Sequence, residues 1–309
     1  MTEERKVHTL AAGVSYIDLE FLGRRRAIAS AILTGAGEVA IVDCGPSTTL
    51  STLRARLADL GLTIADITHL LITHIHLDHS GAAGGLLEEN SRIRVLVHER
   101  GAPHMVDPSK LVSSAARLYE GQMDSLWGAI LPVPASALTV LTGGERITVA
   151  GRGLDVAYTP GHASHHVRYL DRDTGIAFVG DTAGLRVTVS GPPLPPTPPP
   201  DIDLELWSAS LATIERWRPD TLFLTHFGPS SPVTVHLSDL RDHLEQAARW
   251  AKESLALEGD DREKEAWFIE RMRRDLRARV SEPDASTYEM AGRFDLSWRG
   301  LARYLRKRA

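Results

Sequence analysis

The sequence predicts a layered α/β sandwich followed by a run of helices, and three observations predict it. Each half of the first 230 or so residues supplies short apolar strands followed by helices. Halves of that kind bury their apolar faces by stacking in layers. Beyond Pro232 the strand pattern stops and apolar residues recur at helical spacing. The composition, 43% hydrophobic and 24% charged over 309 residues, is that of a globular chain with a substantial core. We therefore expect an α/β unit over residues 1–231 and a helical extension over 232–309.

The elements follow in order. Residues 14–21, 27–33 and 38–42 are short apolar or alternating runs, and Gly35-Ala-Gly37 separates the last two as a hairpin turn would. Leu50, Leu53, Leu57 and Leu60 repeat at helical spacing and stop at Gly61. Residues 67–73 suit a buried strand, 81–89 a helix and 93–98 a further strand. The stretch 102–130 reads as helical, with Leu111, Ala115, Leu118 and Met123 inward and Leu126 and Trp127 extending that face. Strands return at 138–141, 147–149, 154–159, 167–170 and 176–179. The prolines of 191–200 lack amide donors and favour an extended chain, so that segment is neither helix nor inner strand. Residues 204–217 read as a helix and 221–225 as a strand. Leu237, Leu240, Leu244, Ala247 and Ala248 then mark one helical face, with further helices at 261–280 and 295–308. The extension either packs on the same core or forms an interface in a homo-oligomer.

Composition narrows the partners. A net charge of −5 carries no basic surplus of the kind that nucleic-acid binding usually shows. The single cysteine, Cys44, rules out an internal disulfide and suits a reducing compartment. Met1 to Val7 is polar and lacks the apolar core of a signal peptide, and no run approaches the ~18 apolar residues of a membrane span. The expectation is a cytoplasmic protein away from the membrane.

The chemistry concentrates in His74-Ile-His76-Leu-Asp78-His79. Imidazole nitrogen and carboxylate oxygen suit zinc, iron or manganese. Alternation on an extended segment places His74 and His76 on one side, and Asp78 and His79 follow in a turn that can reach a second position. A lone histidine would ordinarily be structural; four such groups in six residues reverse that reading. His162, Asp181 and His226 each sit at the end of a predicted strand. Alone, each could cap a turn or fill a core.

Taken in order, Val42-Asp-Cys-Gly45, Thr73-His-Ile-His-Leu-Asp-His79, Pro160-Gly-His162, Gly180-Asp181 and Thr225-His226 resemble the metallo-β-lactamase superfamily over residues 7–230. The resemblance implies a four-layer αββα sandwich with the site at one edge of the paired sheets. It implies one metal on His74, His76 and His162, a second on Asp78, His79 and His226, Asp181 bridging them, and Asp43 bracing the ligand loop. Two divalent ions, Zn2+ first and Fe or Mn as alternatives, would share a water and lower its pKa to yield the nucleophile, with Asp78 also orienting it.

Zinc β-lactamases generally carry cysteine or serine where this chain has Asp181. The ligand set is instead similar to the glyoxalase II-like branch, which implies hydrolysis of a small carboxylic thioester, ester or lactone. A phosphodiesterase or nuclease of the same fold is the alternative, supported by Arg271, Arg273, Arg274, Arg277 and Arg279 and by Arg303, Arg306, Lys307 and Arg308; interleaved acids favour an ordinary solvated helix there. A mononuclear iron persulfide dioxygenase is the third possibility. His166 matches a second histidine common in the family. His165 is expected at a pocket rim, and Tyr119 and Tyr158 are candidates for a tyrosine near the metals.

Overall fold

The computed structural model describes residues 7–308 and forms two sheets. The polar N-terminal segment read above lies outside the described residues, apart from Val7. The first sheet runs in chain order through β1 (Val7–Ala11), β2 (Val14–Asp18), β3 (Ala29–Gly35), β4 (Glu38–Val42), β5 (Ile67–Leu71), β6 (Arg94–His98) and β7 (Leu138–Leu141). Its first four strands are antiparallel and its last four parallel. The second sheet follows as β8 (Arg146–Val149), β9 (Arg152–Tyr158), β10 (Val167–Asp171), β11 (Ile176–Phe178), β12 (Thr221–Leu224) and β13 (Gly228–Ser230). Only β11 and β12 pair in parallel there.

Parallel neighbours need a crossover, and helices supply it. α1 (Leu50–Asp59) joins β4 to β5. α2 (Leu77–Ser80) and α3 (Ala83–Glu89) join β5 to β6. α4 (Ala102–Val106), α5 (Ser109–Tyr119) and α6 (Met123–Leu126) lie between β6 and β7, and α7 (Leu204–Trp217) joins β11 to β12. The chain ends in α8 (Val233–Leu255), α9 (Asp261–Arg277), α10 (Glu282–Gly292) and α11 (Phe294–Arg306).

Strand alternation sorts the apolar side chains into three cores. Ala31, Leu33, Ala40, Val42 and Leu71 of the first sheet meet Leu154, Val156, Tyr169, Phe178 and Phe223 of the second. Ile32, Ile41, Leu70 and Val95, on the other face, pack against Leu53 and Leu57 of α1 and Leu86 of α3. The outer face of the second sheet, with Leu170, Ala177 and Leu222, is covered by α7 and by α8, α9, α10 and α11. The layers are therefore helix, sheet, sheet, helix, and the terminal helices cover the same sheet.

Several expected boundaries shift. The helical stretch 102–130 is three short helices. Asp107-Pro108 breaks it first, and left-handed Glu120 and Gly121, at φ 33° and 76°, end α5. The helix expected at 81–89 starts at Ala83, with α2 inside the histidine motif. β1, β13 and α10 were not expected. β13 is Gly-Pro-Ser, with no strand propensity, and exists because it pairs with β12 through Leu222 and Ser230. No described helix is long and apolar enough to cross a membrane.

Candidate metal centre

All seven residues singled out from the sequence converge at one edge of the two sheets. His74 and His76 follow β5, and Asp78 and His79 lie in α2. His162 lies between β9 and β10, Asp181 in a tight turn after β11, and His226 between β12 and β13. The ligating atoms of His74, His76 and His162 lie within 4.8 Å of one another, as do those of Asp78, His79 and His226 and those of His74, His79 and Asp181. Asp181 faces both groups. Its Oδ2 is 3.4 Å from His162 Nε2, and its Oδ1 is 3.3 Å from His79 Nε2 and 3.6 Å from His226 Nε2. Asp78 Oδ2 is 3.3 Å from His226 Nε2.

The outer nitrogen of four rings is already committed. His162 Nδ1 donates to Pro196 O at 2.9 Å, and His226 Nδ1 to Ala27 O at 2.6 Å. His79 Nδ1 donates to Asp43 Oδ2 at 2.8 Å. Thr73 Oγ1 gives its proton to Asp43 and so accepts from His74 Nδ1 at 3.1 Å. Each arrangement turns Nε2 inward, where it can serve a cation once it carries no proton. His76 instead turns Nδ1 to within 3.0 Å of Nε2 of both His74 and His162.

The donors fit divalent metals. Five imidazoles and two carboxylates bring ligating atoms to shared positions. His79 Nε2 and Asp181 Oδ1 are buried and face each other at 3.3 Å without a well-formed hydrogen bond, an arrangement that a shared cation would satisfy. Burial holds His74 well below the usual histidine range, and neighbouring imidazoles add to this; burial and His162 hold His76 at about 4. Both are thus neutral, as ligands must be. Asp78 is held at about 2: burial opposes its charge, and His79 and His226 outweigh burial. Burial also opposes charge on His79, but Asp181, Asp43 and Asp78 together raise it well above the usual range.

Around this cluster lie supporting parts, of which the resemblance implied Asp43 and the sequence did not show Trp207. Asp43 is fully buried in a left-handed turn, φ 54°. Besides His79 it accepts Thr73 N at 2.9 Å and Thr225 Oγ1 at 2.7 Å, which ties the ends of β4, β5 and β12 together. Trp207 of α7 packs edge-on against the His162 ring, with centroids 5.6 Å apart, and donates Nε1–H to Thr182 O at 2.7 Å. No spacing rule links Trp207 to residues 162 and 182. A Cβ at Gly161 would lie 2.4 Å from the Trp207 backbone, so the glycine is what allows that approach.

The remaining candidates separate. His166 is buried behind the site, with Nδ1 bound to Thr159 Oγ1 and Thr182 Oγ1. His165 reaches the rim of a cavity that opens on the cluster. Tyr158 spends its hydroxyl on Ser164 O, whereas Tyr119 lines the cavity. Burial and nearby Asp78 push the Tyr119 phenol up, so it keeps its proton. Cys44 is buried, and burial and Asp43 push its thiol up, which fits packing and not attack. The C-terminal arginines are largely paired, Arg273 with Glu289, Arg277 with Glu282, Arg279 with Asp275 and Arg306 with Asp261.

A layered α/β sandwich that gathers imidazoles and carboxylates from its strand-end loops defines a metalloprotein class. The chain belongs to the metallo-beta-lactamase superfamily, whose family model matches residues 23–226. It is similar to the metallo-beta-lactamase fold-containing protein ST1585 of Sulfurisphaera tokodaii, 26% identical over 218 residues, covering 70% of this chain and 76% of that protein. It is also similar to a hydroxyacylglutathione hydrolase of Synechococcus, 32% identical over 127 residues, which is 41% of this chain and 38% of that enzyme. Among solved structures, the metallo-beta-lactamase family protein TTHA1429 of Thermus thermophilus superposes with a TM-score of 0.73 at 23% identity, covering 97% of this chain and 95% of that one. At that identity the likeness shows the fold.

Proposed function

We propose that the protein is a binuclear metal-dependent hydrolase, zinc being the first candidate metal, acting on a small carboxylic thioester, ester or lactone. The observation that carries this reading is the cavity. It holds about 300 Å³ and is lined by His76, Asp78, His162 and Asp181 on one side. Ile75, Leu77, Leu111, Ala115 and Leu118 give it an apolar wall, and Pro196, Pro198 and Leu296 close it. A pocket of this size and character suits a small molecule and not a polymer strand. The hydroxyacylglutathione hydrolase relative supports a carboxylic thioester. The lone buried Cys44 supports a reducing, cytoplasmic setting.

His74, His76 and His162 would hold one ion, Asp78, His79 and His226 the other, and Asp181 would reach both. When bound, the ions supply an activated water and polarise the acyl carbonyl. The chain's own groups do the rest. Asp78 stays ionised and lines the cavity, so it can accept a hydrogen bond from the nucleophile and orient it. Ile75 N donates to His165 Nδ1 at 3.3 Å, which places the His165 proton on Nε2. That N–H is a donor for the substrate carbonyl at the cavity rim. Tyr119 offers a second protonated donor.

The test is a metal count on purified protein followed by assays on a thioester, a lactone, a β-lactam and bis-p-nitrophenyl phosphate. Two metals with thioester or lactone turnover is the expected result. Phosphodiester turnover alone, or one iron with oxygen consumption, would replace this reading with one of its alternatives.

A further inference from the structure

We infer that the substrate carries a carboxylate away from its scissile bond and that Arg100 binds it. This rests on the cavity being the substrate site, as proposed above.

The cavity wall changes character away from the histidines, where Arg100, His104 and Lys110 contribute to it. Its acids do not neutralise them. Asp78 and Asp181 face the histidine cluster, and Asp201 accepts Ser164 Oγ at 2.5 Å. Among the described residues neither Arg100 nor Lys110 has a carboxylate within ion-pair distance. Many arginines elsewhere do, as Arg54 with Glu89, Arg152 with Asp171 and Arg299 with Glu265 show.

Arg100 is also held in place. Its backbone N donates to His98 Nδ1 at 3.2 Å, and its guanidinium lies over the Tyr158 ring, 5.6 Å from the centroid. Tyr158 stacks on His98, with centroids 4.3 Å apart and planes 8° apart, and its hydroxyl donates to Ser164 O at 2.9 Å. Ser164 belongs to the loop that carries His162, so the stack sets the guanidinium on the frame of the metal loop. An arginine resting on an aromatic ring keeps its in-plane N–H donors for a bidentate carboxylate. Lys110, an ammonium on a flexible stem, offers no such fork.

A cation at a fixed place and a hydrolytic centre at another select for the length between them. The volume, about 300 Å³, is at the lower end for ligand pockets. That favours a carboxylate on a short acyl chain over a bulky phosphorylated carrier. The substrate class is therefore the monothioester, or the corresponding ester, of a short dicarboxylic acid.

The experiment compares two thioesters on zinc-loaded full-length protein: the S-phenyl thioester of butanoic acid and the mono-S-phenyl thioester of glutaric acid. The expected kcat/KM ratio is about tenfold in favour of the anionic one, the scale of a charge-assisted hydrogen-bonded pair. The ratio should fall to about one in Arg100→Gln and stay in Arg146→Gln, an exposed charge on β8. Calorimetric binding of 5-(phenylthio)pentanoate against its amide reads the same contact without turnover. There the acid should bind about tenfold tighter, and Arg100→Gln should remove that preference. Equal affinities, or a preference that survives Arg100→Gln, would overturn the inference. Absent thioester turnover with the binding preference intact would overturn the proposed activity and leave the inference standing.

Discussion

Asp43 is the single residue that joins the most parts of the site. Its carboxylate takes donors from the ends of two other strands and from the His79 ring. Removing it leaves buried donors without partners, each costing about 1–3 kcal/mol. We expect Asp43→Ala to lower the unfolding free energy of the metal-free protein by about 3–5 kcal/mol. Metal affinity should fall about 10–100-fold as His79 loses its orientation. Urea denaturation and metal titration check both; a variant with unchanged midpoint and affinity would make Asp43 a bystander. The seven candidate ligands were legible from their settings in the chain. His74, His76, Asp78 and His79 lie within six residues, and His162, Asp181 and His226 each follow an apolar run that reads as a strand. Trp207 was not legible beside the site, nor was the place of Arg100 on the cavity wall. Each acts across a tertiary contact that leaves no spacing in the chain.

At the scale of elements, the His162 loop is seated on α7 and the Asp181 turn on α8. The first seat depends on Gly161, whose φ of 132° and missing Cβ admit the Trp207 backbone. Gly161→Ala should displace His162 and weaken one metal about 10–100-fold more than the other, read as two separated steps in a metal titration. Two unchanged steps would refute the seating. The second seat depends on His236, which donates Nε2–H to Ala183 O at 2.7 Å and takes Ser230 Oγ–H at Nδ1, 2.8 Å away. Burial lowers His236 from 6.5 to about 4, and Arg186 adds to this. The folded pKa is depressed, so the fold favours the neutral ring. Its contribution, about 3 kcal/mol by linkage, is present above the unfolded value and is lost as pH falls from 6.5 to about 4. The unfolding free energy of the wild type should therefore drop faster over that window than that of His236→Gln. Parallel curves would show that His236 titrates alike in both states. Element type was legible for long periodic stretches such as 204–217 and 233–255. β13 was not, because its strand character comes from its neighbour.

For the whole molecule, the helices beyond Pro232 complete the fold around the cavity. α8 buries Leu237, Leu240, Leu244, Ala247 and Trp250 against the second sheet's outer core. Tyr288 donates to Pro192 O and Ser297 contacts Thr197, which fixes the proline-rich wall. At about 2 kcal/mol for each large apolar side chain, losing α8 alone removes an amount comparable with the roughly 5–15 kcal/mol that stabilises a typical domain. A chain ending at residue 231 should aggregate or melt without cooperativity; a cooperative, metal-binding fragment would show that the α/β unit stands alone. Apolar periodicity showed that these helices need cover, and only the assembled sheet shows what supplies it.

The central claim is that two metals held by these seven residues hydrolyse a carboxylic thioester or ester. It is tested most directly by titrating metal-free protein with zinc while following thioester hydrolysis and bound metal together. Turnover should rise to a plateau at two equivalents per chain. A plateau at one equivalent, or two bound zinc ions with phosphodiester but no thioester turnover, would contradict it.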